Sequence, residues 1–415
     1  MTISNKKIIK ATHISNEYVD GWIKDHLVLV ENELIVDIVP STNLPSDIND
    51  NYEIVDLGKS YLIPGLIESH AHLQFSATSD AYDIYFSETD AEKMVRAESN
   101  ARTALLSGVT TLRDLGAPNN LIFPLKSKID KGELIGPEIF PTGTPITIDK
   151  GHCWFFGTVA HESKEIFSVI ENQLNLGATH IKIMASGGYF TPSSNPRISQ
   201  YSEKTLDEVV NFCEMNNTYI CAHTLSNEST KNCINAGVHN IIHGRWFDSD
   251  ENKSYKFEED YSKIISEKGI FVDSTISKHL LEYESKLMGK KQRIPNPNVI
   301  KSEPTLEEIV KMFRKLDDDD VNIIGALDMG MSQAFFDKCA ASAWAHVEWL
   351  NFDHWKAIRS ITSLNAKALR INSYKGIIKK GYIADIVSFN DDPTINIRNL
   401  TSNPKAVIKA GNRVI

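Results

Sequence analysis

Cysteine is sparse and unpatterned: Cys153, Cys213, Cys221, Cys233 and Cys339 form an odd set with no CxxC spacing. That argues against both a disulfide framework and a thiolate zinc site, and makes a reducing cytoplasm the expected compartment. No apolar run approaches the ~20 residues that span a bilayer. The opening MTISNKKIIKATHIS carries lysines without a following apolar segment, so no signal peptide is expected. Positive charge is also in deficit, with 44 Lys and Arg against 54 Asp and Glu, a net −10. A phosphate-neutralising surface is therefore not expected, and neither nucleic acid nor membrane is an expected partner. GxGxxG and GxxxxGK[ST] are both missing, which removes support for nucleotide binding.

What is present divides into two characters. The first sixty residues read as short strands, VLVENELIVDIV and YEIVDLGKSYLI, broken by Asn, Asp and Gly. The C-terminus reads alike in GIIKKGYIADIVSFN and AVIKAGNRVI. One small β-sandwich domain built from residues 1–60 and 374–415 is the expectation. Between them, over 61–373, short apolar runs alternate with amphipathic stretches of helical length. The strand candidates are LIPGLIESHAHL, VTTLRDL, EIFPTG, HIKIMAS, YICAHTL, HNIIHG, IFVDSTI and NIIGALD. AEKMVRAESNARTALLSG and EKTLDEVVNFCEMN are helix candidates, the second with Ser202 as N-cap. The pattern predicts an α/β chain whose core is a (β/α)8 TIM barrel. DDDD at 317–320 reads as a solvated helix end. The polar stretch 286–304 reads as a surface loop, and its place after the seventh strand also allows a lid.

Catalytic groups in such a barrel sit at the C-terminal ends of strands. His70 and His72 end the first strand two residues apart, and so face one side. Lys182 lies in the fourth strand, His223 ends the fifth, His243 the sixth and Asp328 the eighth. A lone buried histidine is more often a hydrogen-bonded core residue than a ligand. The coincidence of six such groups at strand ends outweighs that. His13, His26, His161, His180, His239, His279, His346 and His354 sit elsewhere and carry no such weight. Cys153 and Cys221 read as small core residues, and Arg113 as the partner of Asp114 or another neighbour. A lysine carbamylated by CO2 becomes a carboxylate, and burial favours the neutral amine this needs.

These segments resemble the amidohydrolase superfamily over essentially the whole chain: IPGLIESHAHLQ, HIKIMASGG, CAHTLS, IIHG, GALDMG and KGYIADIVSFNDDP. Within it, PRISQYSEKTLDEVV and AHTLSNESTKNCINAGVHNIIHG are similar to the branch of imidazolonepropionase-like proteins and metal-dependent Xaa-Pro dipeptidases. Leu327 and Ile242 depart from that branch's usual residues beside the ligands.

The resemblance implies two zinc ions bridged by carbamylated Lys182, with one ion an alternative. His70, His72, Lys182 and Asp328 would hold the first, and Lys182, His223 and His243 the second. It implies attack of a metal-bound hydroxide on an amide, most simply of a dipeptide or N-acyl amino acid, with Asp328 as general base and acid. Two rivals remain: a cyclic-amide hydrolase of imidazolonepropionase type, and a catalytically silent binding protein of the same fold. Deamination is disfavoured, because His223-Thr-Leu-Ser lacks the glutamate of an HxxE pattern. His152, in a Gly-His loop after strand three, is a candidate to stabilise the oxyanion or hold a substrate carboxylate. Tyr189 and Arg245 are candidate substrate contacts, and a purely structural loop role competes for all three. A homo-oligomer is expected from the resemblance.

Overall fold

The computed structural model describes residues 6–43, 52–289 and 302–415. The middle of the chain contributes strands β1 (Leu66–Ala71), β2 (Val109–Asp114), β3 (Glu138–Pro141), β4 (Ile181–Met184), β5 (Ile220–His223), β6 (Asn240–Ile242), β7 (Phe271–Asp273) and β8 (Asn322–Ile324). They lie in two parallel sheets. The first holds β1, β2 and β3, and the second runs from β4 to β8 in chain order, extended by the short strands Ile146–Thr147 and Thr158–Val159. Main-chain bonds join the sheets at both seams. Thr179 N donates to Pro141 O at 2.9 Å, Met329 N to His70 O at 2.9 Å, and His72 N to Met329 O at 2.8 Å.

Every residue of β1, β2, β4 and β5 is buried, with no alternation. That is the signature of strands covered on both faces, as parallel sheets are when helices connect them. The connecting helices follow from local sequence. Glu203–Met215 buries Leu206, Val209, Val210 and Cys213 on one stripe, and Ser202 Oγ accepts from Thr205 N at 3.1 Å, the cap expected there. Asp90–Leu106 starts at a reciprocal Thr89/Glu92 capping box.

Both chain ends meet in two further sheets. One has the order Leu34–Pro40, His26–Glu31, Lys6–Lys10, Glu53–Asp56. The other includes Ala406–Lys409, Ile386–Phe389, Tyr61–Pro64 and His13–Ser15 as neighbours. Ile9, Val28, Ile35, Leu62, Ile386 and Ile408 pack into one core from the two sheets.

Several expectations need correction. LIPGLIESHAHL is two strands, not one. Tyr61–Pro64 pairs antiparallel with Ile386–Phe389, and β1 begins only at Leu66. Gly65 is the hand-over: a Cβ there would lie 2.2 Å from Thr110 Oγ1, so β2 crosses where only hydrogen fits. Arg113 does not pair with Asp114. Its Nε donates to Ser69 O at 2.7 Å and its Nη2 to Asn240 Oδ1, while Asp114 accepts from Leu73 N and Gly116 N. The run at 317–320 ends a helix as expected, yet Asp317 pairs with Lys356 at 2.6 Å and Asp319 with Lys315 at 2.8 Å. Cations from the same and the following helices reach it, so it is not simply solvated. Of the 286–304 stretch, residues 290–301 lie outside the described residues. Its first residues finish the helix Ser277–Leu287, and Ser302 O accepts from Arg197 Nη2 at 2.6 Å.

Gly65→Ala should lower stability by about 1–3 kcal/mol, the usual cost of an overpacked methyl. A drop in the denaturant midpoint at unchanged m-value measures it.

Candidate metal centre

The parallel strands end on one rim, and the residues expected there converge. His70 and His72 leave β1 with ring centroids 5.3 Å apart, and His70 lies 5.2 Å from the His243 ring. His243 is 4.9 Å from His223, which in turn stacks on His152 at 4.4 Å. Asp328 Oδ1 lies 3.2 Å from His70 Nε2 and 3.6 Å from His72 Nε2. Lys182 is 1% exposed in β4, in register with Cys221 of β5, two residues before His223.

Local backbone explains part of this convergence. His243 and Asp328 lie just past their strands with φ of 68° and 62°, left-handed values uncommon for residues with a side chain. Such strain persists where the surroundings enforce it. The two glycines after Ala185-Ser186 allow close approach: a Cβ on Gly187 would meet Asn195 O at 1.9 Å, and one on Gly188 the His152 ring at 2.5 Å.

Four further residues complete the arrangement. Asp273 ends β7, and its Oδ2 lies 2.7 Å from His70 Nδ1. Its Oδ1 accepts from Thr275 N at 3.0 Å, and Thr275 Oγ1 is 3.0 Å from His243 Nδ1, so one carboxylate orients two histidines. Lys278 Nζ donates to Asp328 Oδ2 at 3.1 Å. Glu68 Oε1 accepts from His70 N at 2.9 Å and Leu327 N at 3.1 Å, joining β1 to the segment that carries Asp328. Asp273 was findable, since IFVDSTI places an acid at a strand end. Lys278 and Thr275 leave no mark in sequence, because they reach the site from the loop and helix after β7.

Not all the expected contacts point inward. Arg245 Nη1 donates to His243 O at 2.8 Å and Ser274 O at 3.0 Å, with its guanidinium over the Phe313 ring. It braces the loops that carry His243 and Thr275. Tyr189 interacts with Glu303 and sets its ring 5.9 Å from Phe247. Cys153 and Cys221 are buried and burial pushes both thiols up, as befits core residues.

Desolvation decides the charge states. Burial pushes His70, His223 and His243 well below the ordinary imidazole value and His72 down to about 4, leaving neutral rings with a free lone pair. Burial brings Lys182 down to about 8. At Asp328 burial works upward, but the Lys278 ammonium on Oδ2 works against it, and the carboxyl is held below its ordinary value. Neutral imidazoles beside an ionised carboxylate are what a divalent cation takes as ligands. The ligand atoms of His70, His243 and Asp328 all lie within 4.8 Å of one another. The donor set fits a metal.

Residues 61–414 match the amidohydrolase family model, and the chain belongs to that family. Membership makes it a hydrolase acting on carbon–nitrogen bonds. Ochratoxinase of Aspergillus niger is 24% identical over 384 residues, covering 83% of this chain and 73% of its own. A Xaa-Pro dipeptidase solved with bound methionine superposes with a TM-score of 0.85 at 24% identity, covering 99% of both chains. A prolidase solved with N-methylphosphonate-L-proline gives 0.83 at 22% identity, again over 99% of each. The resemblance to the amidohydrolase superfamily read from the sequence thus holds, and the two solved structures share this chain's fold. Among the described residues no helix is long and apolar enough to cross a membrane.

Glu68 sits in this rim fully buried, and burial pushes its carboxyl up to about 8 from an ordinary 4.5. A raised native pKa stabilises the fold below the unfolded value, and that contribution is lost as pH rises through the native one. Glu68→Gln keeps an acceptor for the two amides without the titration. The stability difference between wild type and Glu68→Gln should therefore shift against wild type from pH 4.5 to 8, as read in denaturant midpoints across that range.

Proposed function

We propose that this chain is a metal-dependent amidohydrolase that cleaves the amide of a dipeptide or N-acyl amino acid. In this reading the two parallel sheets close into one (β/α)8 barrel, and residues 1–60 with 374–415 form a β-sandwich domain that also takes in the strand to Pro64. The observation that carries the reading is the meeting of His70, His72, His223, His243 and Asp328 at the strand ends, with burial favouring neutral imidazoles and Asp328 held below its ordinary value.

His70, His72 and Asp328 would hold one divalent ion, and His223 and His243 a second, with Lys182 between them once carbamylated. Carbamylation forms a bond between the neutral Nζ and CO2 with loss of one proton, and a Lys182 brought down to about 8 reaches the neutral amine at modest cost. Zinc fits the N and O donors best. Bound there, the metal would acidify a water and polarise the amide carbonyl.

The protein's own groups supply the rest. Asp273 fixes the His70 ring through Nδ1, leaving Nε2 toward Asp328, and steadies the Thr275 backbone beside His243. Asp328, steadied at Oδ2 by Lys278, would take the proton of the attacking water and return it to the departing amine nitrogen. Water and amide become carboxylic acid and amine, with no redox change. In this reading His152, whose ring lies 4.4 Å from that of His223, would donate a hydrogen bond to the carbonyl oxygen as it gains charge.

Metal analysis of the purified protein, with hydrolysis assays on Xaa-Pro dipeptides, other dipeptides, N-acyl amino acids and ochratoxin A, tests the proposal. Bound zinc and turnover that falls on chelation are expected. Metal-free protein with no turnover on the whole panel would sink it. Asp328→Asn should lower kcat by about 10²–10⁴-fold, the usual worth of a positioned acid–base group. Asp273→Asn should weaken metal affinity about 10–100-fold, as outer-shell changes do, measured by chelator competition.

A further inference from the structure

One side of the rim is built almost entirely of aromatic rings. Phe75 and Phe156 are buried and stand edge-on to His72, with centroids 6.1 and 6.3 Å away. Above them lie Tyr82, Tyr85, Phe155 and Phe190, all partly buried. Phe190 is 5.4 Å from Phe75 and 5.8 Å from Phe155, and Phe155 is 5.0 Å from Tyr85. At the outer edge Phe86 is 55% and Trp154 is 42% exposed. These rings come from three separate segments: the one after β1, the one after β3, and the one after β4. Met184, paired in register with His223, and Met331, close behind Asp328, join the same cluster at its inner end.

A cluster that merely packed loops together would bury its rings. This one runs ring to ring from the His72 imidazole outward to the exposed Phe86 and Trp154, and contiguous apolar surface reaching solvent marks a binding site. The facing side, after β7, is polar instead, with Thr275 beside His243 and Lys278 on Asp328. We infer that this aromatic wall is the subsite for a bulky aromatic group of the substrate, so that the preferred amides carry an aromatic ring next to the scissile bond. The inference rests on the amidohydrolase reading above and narrows it to a substrate class. Rings prefer edge-to-face partners at 4.5–7 Å or so, and the half-buried faces of Phe155 and Phe190 can offer that geometry to an incoming ring.

Three comparisons with the metal-loaded wild type test it: N-benzoylglycine against N-acetylglycine, N-acetylphenylalanine against N-acetylalanine, and N-acetylphenylalanine against N-acetylaspartate. The first places the ring on the acyl side and the others on the amine side. We expect kcat/KM to favour the aromatic member on at least one side by about tenfold or more, in line with what apolar pockets discriminate. Phe190→Ala and Phe155→Leu should each cut that ratio at least about threefold, with melting temperature and metal content reporting whether each variant is intact. Benzoate against acetate, titrated calorimetrically into wild type, reads the wall without turnover and should bind more tightly. Hydrolysis of the panel with ratios near one, or favouring alanine or aspartate, overturns the aromatic subsite and leaves the amidohydrolase reading standing. Turnover on none of these amides, with benzoate no tighter than acetate, overturns the subsite as well.

Discussion

The rim depends on a seam between the two ends of the parallel strand series. Met329 N donates to His70 O, His72 N donates to Met329 O, and Glu68 takes the amides of His70 and Leu327 on one oxygen. These bonds join strand β1 to a segment some 259 residues further along the chain. Without them the His70–His72 pair and Asp328 would lie on different surfaces. Their placement at covered strand ends also makes the bonds count. A buried amide left unpaired costs about 1–3 kcal/mol, so the seam resists slipping by even one residue.

The same burial sets the chemistry. Imidazoles taken out of water lose their protons, and a carboxylate keeps its charge only where cations and histidines surround it. At this rim both happen side by side, because Lys278 reaches Asp328 from the helix after β7 while the four rings stay neutral. Asp273 takes the Nδ1 side of His70 and holds the Thr275 backbone, whose hydroxyl lies against His243 Nδ1. In the proposed reading, a rim so prepared would take a cation with little rearrangement of its side chains.

The aromatic wall and the polar side divide the mouth between recognition and reaction. Segments after β1, β3 and β4 supply the rings of the wall, and those after β7 supply Thr275 and Lys278. Loop variation on an unchanged strand scaffold is how one fold serves many substrates. Family membership therefore names the bond class, and the side chains of the wall narrow the partner of that bond.

Strand ends were readable from sequence because fully covered parallel strands appear as unbroken apolar runs, and a polar residue closing such a run stands out. His70, His72, His223, His243 and Asp328 were found that way, and Asp273 was open to the same rule. The helix cap at Ser202 and the strand character of both termini were equally local, since caps and β-branched runs act within a few residues. Other features were decided by contacts between distant segments. The break at Gly65 depends on the approach of Thr110, the partners of Arg113 come from Ser69 and Asn240, and the acids at 317 and 319 find lysines on two helices. Lys278 reaches Asp328, Thr275 reaches His243, and the rings of three loops gather into one wall for the same reason. Sequence alone settled which residues are capable of holding a metal, because chemistry and period are written residue by residue. Only the tertiary structure settled which of them meet, what charge they carry and what faces them, because desolvation and proximity are properties of the packed chain.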